Sequence, residues 1–143
     1  MPDQTHDEAT NPSQQTANES PFKGKTGLRR VWNAMGYSLD GLRAAYACED
    51  AFRQEVFLAL LLVPVALYLP VGGLGKAVLI GSVLLVLIVE LLNSAIEAVV
   101  DRVSLENHRL AKRAKDIGSA AVFISLLNVL VIWTCTLWDL LFN

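Results

Sequence analysis

The sequence is poor in the side chains from which zinc and redox sites are built. Its 143 residues include two cysteines, Cys48 and Cys135, and two histidines, His6 and His108. The cysteines form no CxxC pair and have no metal-ligand spacing. The topology derived below puts them toward opposite sides of a membrane, so we expect two free thiols. The histidines are too isolated to indicate zinc.

Other features are missing too, and their absence excludes classes of protein. The formal net charge is only −2 and the basic residues form no stripe, which argues against nucleic-acid binding. The polar residues 1–20 contain no apolar signal-peptide core. The tripeptide GKT at 24–26 lacks the upstream glycine of a phosphate-binding loop, because Glu19 stands there. Residues 1–25 are too polar to offset their ordering entropy, which predicts a disordered extension before one domain at 26–143.

What the chain has in abundance is apolar sequence, at 53% of its residues. A membrane-spanning helix needs about 20 apolar residues, and three runs qualify, at about 52–69, 77–100 and 115–141. Upstream, Leu28, Val31, Trp32 and Met35 recur at helical spacing opposite basic residues, which predicts an interfacial amphipathic helix that is interrupted at 36–38. The predicted fold is an all-α membrane protein with three transmembrane helices and an N-terminal interfacial helix.

The distribution of lysine and arginine predicts how the spans are oriented. Six basic residues lie before the first span or at its start, between positions 23 and 53, and a second cluster lies in the charged loop predicted at 101–115. The turn at 70–76 contains only Lys76, and no basic residue follows the third span. The excess of positive charge in cytoplasmic loops puts the N-terminus in the cytoplasm and the C-terminus outside.

The second span carries polar side chains at membrane depth. Glu90, Asn93 and Glu97 follow each other at helical intervals and share one face. A comparable carboxyl side chain at the centre of a membrane helix costs roughly 2.5 to 3.5 kcal/mol on insertion scales. Such residues are either a polar staple between helices or a functional site. Two carboxyl groups with an amide between them favour a site.

The predicted topology places the acidic and basic residues at one level. Glu49 precedes the first span, Glu97 lies near the inner end of the second, and Lys115 opens the third. Two carboxylates with nearby cations are what Mg²⁺ and a nucleotide require. Glu90 lies about 10 Å deeper at 1.5 Å per residue. A carboxyl group there suits a general base acting on a hydroxyl from the lipid side.

Specific sequence motifs resemble the bacterial integral-membrane diacylglycerol kinase family. Residues 89–102 (VELLNSAIEAVVDR) and 113–121 (RAKDIGSAA) carry the resemblance. The upstream segments 36–38 (GYS), 41–45 (GLRAA) and 49–55 (EDAFRQE) match as well. The similarity extends from about Thr26 to the C-terminus, and the segment around Tyr46 to Cys48 departs from the usual pattern.

The resemblance implies a homotrimer in the bacterial inner membrane, with a periplasmic C-terminus. Each subunit would transfer the γ-phosphate of ATP, with Mg²⁺, to the hydroxyl of diacylglycerol. Glu90 would be the catalytic base, Glu49 and Glu97 the metal ligands, and Asn93 a supporting residue. Nucleotide contacts are implied for Arg30, Tyr37, Glu49, Glu97, Glu106, Asn107, His108, Lys115 and Asp116. Contacts with the lipid substrate are implied for Arg43, Ala51, Phe52, Arg53, Gln54, Glu55, Glu90, Ser119, Trp133 and Trp138.

Two alternatives remain open from the sequence. The same family includes undecaprenol kinases, which perform the same chemistry on a longer isoprenoid alcohol. The second alternative is a non-enzymatic membrane protein whose polar stripe only holds helices together.

Overall fold

The computed structural model describes residues 28–103 and 109–142 of the chain. Four helices occur in these residues: α1 (Leu28–Cys48), α2 (Asp50–Tyr68), α3 (Gly73–Val103) and α4 (Arg109–Phe142). The predicted extension at 1–25 lies outside the described residues. The described residues divide into two units, and the division falls between Asp40 and Gly41.

Helix α1 does not stop where the sequence predicts. It continues through Gly36 to Cys48, so the predicted interruption at 36–38 is wrong. A single glycine costs a helix only about 1 kcal/mol relative to alanine. The hydroxyl of Ser38 donates a hydrogen bond to the carbonyl oxygen of Ala34 at 2.9 Å, one turn earlier. The polar side chain is therefore satisfied within the helix and does not break it.

The chain changes direction at a single residue between α1 and α2. Glu49 has φ −111° and ψ 114°, which is extended backbone, and α2 begins at the next residue. Helix α2 continues through Pro64 and ends at Tyr68. Its 19 residues measure roughly 28 Å at 1.5 Å per residue, close to the thickness of a bilayer core.

Helices α3 and α4 are longer than a bilayer requires. Their 31 and 34 residues measure roughly 46 and 51 Å. Residues 101–103 and 109–115, predicted as loop, are therefore helical, because the alanine, lysine and arginine there are good helix formers. Residues 104–108 lie outside the described part. Three helices, α2, α3 and α4, are long and apolar enough to cross a membrane, which confirms that part of the predicted fold.

Helix α3 packs against both α2 and α4. The apolar core of this contact comes from all three helices and consists of Ala59, Ala66, Leu79, Val83 and Trp133. The small side chains on α2 allow α3 to approach closely. Trp133 is therefore a core residue, whereas Trp138 is exposed and packs against Phe142 with ring centroids 4.4 Å apart. Cys48 and Cys135 are both free and exposed.

Candidate functional site

The polar face predicted on the second span is buried. Glu90 is 3% exposed and Asn93 is 9% exposed, although both lie on a helix with a largely apolar sequence. Glu97, one turn beyond Asn93, is half-buried. The Asn93 side chain donates from Nδ2 to Glu97 Oε1 at 3.1 Å. The predicted stripe therefore exists, and its central amide holds one oxygen of Glu97.

Glu49 joins this face from the start of α2. It occupies the N-cap position, but its side chain forms no capping hydrogen bond within the described residues. Instead, the carboxylates of Glu49 and Glu97 are both close enough to repel that of Glu90. A carboxyl group that is 41 residues away from Glu90 in the sequence thus lies within electrostatic range of it.

A fourth carboxyl group belongs to the same neighbourhood. Glu55 lies on α2, is 9% exposed, and is close enough to repel Glu90. Its Oε2 atom has no hydrogen-bond partner among the described residues. The resemblance implies a lipid contact for Glu55, and the structure places its carboxyl group within electrostatic range of Glu90.

Helix α4 crosses α3 at Asn93, and the two helices are in close contact there. Gly118 is buried, and a Cβ atom added there would overlap Oδ1 of Asn93 and come within 3.3 Å of its Cγ. That Oδ1 is buried and has no partner in the described part of the chain. The sequence shows Gly118 only as one of several small residues that permit close packing. The individual partner depends on how the two helices cross.

Lys115 lies one turn before this crossing. Its Nζ pairs with Asp101 Oδ1 at 2.6 Å, and it is also close enough to attract Glu97. Lys115 is half-buried, whereas the neighbouring Asp116 and Ser119 are exposed. The basic residue predicted near the carboxylates is therefore present, and its partner Asp101 was not foreseen.

Arg53 has partners that the sequence does not reveal. Its Nη1 donates to the carbonyl oxygens of Tyr46 and Ala47, at 2.8 and 3.0 Å. Its Nη2 pairs with the carboxylate of Asp50. The guanidinium thus joins the end of α1 to the start of α2, across Glu49. The resemblance had implied a lipid contact for this residue.

The remaining predicted residues are distributed over several regions. On α2, Phe52 is buried and both Ala51 and Gln54 are exposed. Arg43 is exposed on α1 within the second unit, and Arg30 and Tyr37 are exposed on the part of α1 that belongs to the first unit. Trp133 packs in the apolar core. Glu106, Asn107 and His108 lie outside the described residues.

The residues present fit a magnesium ion held together with phosphate groups. Within residues 28–103 and 109–142, no cluster of three or more histidine, cysteine or acidic side chains forms a cage by itself. Mg²⁺ needs no such cage, because one or two carboxylates with substrate phosphates and water complete its octahedron. Glu49 and Glu97 carry the hard oxygen atoms that such an ion would need, and a cation beside them would offset their repulsion of Glu90.

Comparison with known proteins gives one consistent result. The family model for prokaryotic diacylglycerol kinase matches residues 36–137. A diacylglycerol kinase of Pseudomonas aeruginosa is 58% identical over 118 residues, covering 82% of this chain and 96% of the relative. That of Escherichia coli is 53% identical over 114 residues, covering 80% and 93%. That of a Helicobacter pylori strain is 45% identical over 123 residues, covering 86% and 95%. The chain therefore belongs to the prokaryotic diacylglycerol kinase family.

Proposed function

We propose that the protein transfers the γ-phosphate of ATP to the free hydroxyl of diacylglycerol and so forms phosphatidic acid. One observation carries the proposal: the carboxyl groups of Glu49 and Glu97 are close enough to repel that of Glu90, which is almost fully buried on a helix long and apolar enough to cross a membrane. A set of like charges at membrane depth is costly and is typical of functional sites. A polar cluster that only held helices together would not need three carboxyl groups.

Glu90 is the general base in this proposal. The hydroxyl proton of the lipid passes to its carboxylate as the hydroxyl oxygen forms a bond to the γ-phosphorus. The bond between that phosphorus and the bridging oxygen of ADP breaks, and ADP leaves with the electron pair. The burial of Glu90 supports this role, because a carboxylate shielded from water keeps the proton transfer local.

Glu49 and Glu97 are the residues that would hold Mg²⁺. The ion, when bound with ATP, would supply positive charge that offsets the negative charge of the phosphoryl group during its transfer. Asn93 fixes one oxygen of Glu97 through its hydrogen bond, which leaves the other oxygen for the metal. Lys115, which already lies near Glu97, would contact the phosphates, and Arg30, Tyr37, Asp116 and residues 106–108 are the further nucleotide contacts that the family resemblance implies.

The lipid would approach from the membrane side. Diacylglycerol is amphiphilic, so its hydroxyl lies near the headgroup level with the tails toward the bilayer centre. Glu55, buried beside Glu90, and the exposed Ser119 are well placed for that approach. Residues 51–54, Arg43, Trp133 and Trp138 are the further lipid contacts that the resemblance implies. ATP comes from the cytoplasm, so neither substrate has to cross the membrane.

The assembly and orientation belong to the same proposal. The family resemblance favours a homotrimer in the bacterial inner membrane. The distribution of basic residues favours a cytoplasmic N-terminus and a periplasmic C-terminus. Large apolar side chains are exposed along α2, α3 and α4 of a single chain, including Leu61, Leu92 and Leu130. They suit contact with lipid tails or with neighbouring subunits.

A lipid-dependent phosphorylation assay tests the proposal. The purified full-length protein is supplied with labelled ATP, Mg²⁺ and either diacylglycerol or undecaprenol in mixed micelles, and the lipid products are separated by thin-layer chromatography. We expect labelled phosphatidic acid, because each relative compared above is named a diacylglycerol kinase. Preferential labelling of undecaprenol would contradict the proposed substrate. No transfer to either alcohol by an intact assembly would contradict the proposed activity.

A further inference from the structure

We infer that Arg53 is a positioning residue for Glu49, and that it acts by clamping the junction between α1 and α2. The inference rests on the proposed role of Glu49 as a metal ligand. It differs from the lipid contact that the resemblance implies for Arg53, and the two roles predict different kinetics.

The junction creates unsatisfied backbone groups that need a partner. The last carbonyl groups of a helix lack donors from a following turn. Because Glu49 is extended, the carbonyl oxygens of Tyr46 and Ala47 cannot accept from the first turn of α2 as they would in a continuous helix. Nη1 of Arg53 donates to both of them. A cation at this end of α1 is also favoured by the helix dipole.

The same guanidinium reaches the other side of the junction. Nη2 pairs with Asp50, the first residue of α2, where a carboxylate is favoured by the positive end of the helix dipole. The backbone N–H of Arg53 also donates to the carbonyl oxygen of Glu49 at 3.3 Å. Arg53 thus binds the end of α1 and the start of α2 through its planar guanidinium, and the residue between them through its own backbone.

The clamp determines where the Glu49 carboxylate lies. Glu49 is the only residue between the two helices, and its side chain does not cap α2. Its direction is therefore set by the angle of the junction, which Arg53 holds. In the structure the Glu49 carboxylate is close enough to Glu90 to repel it, and a change in that angle would move it away. Arginine is required because lysine has no planar fork that can bridge two carbonyl oxygens and a carboxylate.

Arg53→Lys in the full-length protein tests the inference. We expect the half-saturating Mg²⁺ concentration to rise about threefold to tenfold, the effect of losing one or two hydrogen bonds. The KM for diacylglycerol should stay unchanged. Arg109→Lys, the same exchange at an exposed arginine on α4, should change neither quantity. Binding of Mn²⁺ with a non-hydrolysable ATP analogue, followed by electron paramagnetic resonance, should weaken in Arg53→Lys by the same factor, independently of turnover.

A double variant distinguishes action through Glu49 from a separate effect. Glu49→Gln alone should raise the Mg²⁺ requirement, and adding Arg53→Lys should raise it no further, because a residue that acts through another has no effect once its target is removed. If the two effects add, or if Arg53→Lys raises only the lipid KM, Arg53 is not a positioning residue for Glu49. If Glu49→Gln leaves the Mg²⁺ requirement unchanged, the metal assignment in the proposed function is wrong, and this inference falls with it.

A second substitution tests the inference if Arg53→Lys prevents folding. If Arg53→Lys does not assemble as judged by gel filtration in detergent, Asp50→Asn removes only one arm of the clamp. It should raise the Mg²⁺ requirement in the same direction by a smaller factor. An unchanged Mg²⁺ requirement and unchanged Mn²⁺ binding in Asp50→Asn would contradict the inference.

Discussion

The first half of α3 (residues 73–88) and its second half (residues 89–103) bury different kinds of side chain against the same two helices, α2 and α4. In the first half, Leu79 and Val83 are buried between α2 and α4 in an apolar core, and the buried hydroxyl of Ser82 donates to the carbonyl oxygen of Leu79 at 2.7 Å. In the second half, Glu90 and Asn93 are buried to a similar extent. A single helix thus has one half that packs like the interior of a soluble protein and another that buries charge and amide groups.

The difference lies in how completely the buried groups are satisfied. Apolar side chains in the first half need only shape, and the small Ala66 provides it. In the second half, Asn93 Oδ1 and the hydroxyl of Ser94 have no partner among the described residues. Unsatisfied polar groups in a low-dielectric interior oppose folding. The first half therefore stabilises the bundle, and the second half keeps costly groups available for chemistry.

The largest expected effect is on catalysis in the second half. Glu90→Gln keeps the size of the side chain but removes the proton acceptor, and general-base catalysis contributes about 10²–10⁴-fold. We expect kcat to fall by that factor. Thermal stability in detergent should stay the same or rise, because the substitution removes a charge that Glu49, Glu55 and Glu97 repel.

Two measurements check this prediction together. Phosphorylation of diacylglycerol gives kcat, and the midpoint of thermal unfolding in detergent gives stability. Glu90→Gln with nearly normal kcat would remove Glu90 from the mechanism. A large loss of stability would show that the second half of α3 also holds the bundle together, and would contradict the division between a stabilising first half and a functional second half.

The opposite pattern is expected in the first half. Leu79→Ala leaves a cavity among well-packed side chains, and such cavities cost from about 2 kcal/mol upward. In lipid the smaller value applies, because lipid tails are as apolar as leucine and the transfer term is lost. The midpoint of unfolding should fall clearly, whereas kcat measured well below that midpoint should be nearly unchanged. Equal damage to kcat would show that the two halves do not divide stability from function.

How much of this arrangement the sequence predicts depends on whether a feature is local. The face shared by Glu90, Asn93 and Glu97 follows from the helical period alone, and the three spans follow from the length of the apolar runs. The path of α1 through Gly36 was missed because glycine weakens a helix without ending it.

Features that depend on two elements meeting could not be predicted. The overlap of Gly118 with Asn93 requires the angle and register at which α3 and α4 cross. The carbonyl partners of Arg53 exist only because the helix breaks at Glu49. In both cases the residue type is plain in the sequence, and its partner is fixed by tertiary packing.

A smaller effect is expected where the two long helices touch. Gly118→Ala puts a methyl group where Asn93 Oδ1 lies, so the amide must turn and its hydrogen bond to Glu97 is lost. A net hydrogen bond contributes about 0.5–1.5 kcal/mol, so the Mg²⁺ requirement should rise a few-fold and excess Mg²⁺ should restore much of the activity. Ala120→Gly, at an exposed position on the same helix, is the control. An unchanged Mg²⁺ response in Gly118→Ala would show that the Asn93 amide does not position Glu97.

The smallest effect on stability is expected for the ion pair between Lys115 and Asp101. It joins α4 to α3 beyond the buried polar face, and its side chains are 38% and 64% exposed. Exposed ion pairs contribute little, since water and salt screen them and both side chains lose freedom. Asp101→Asn should therefore leave the midpoint of thermal unfolding unchanged within error, at low and high salt. Lys115→Met should raise the KM for Mg-ATP, because it removes a cation that attracts Glu97. If Asp101→Asn instead destabilises the protein as much as Leu79→Ala, the second half of α3 also holds the bundle, and stability and function are not separated along this helix.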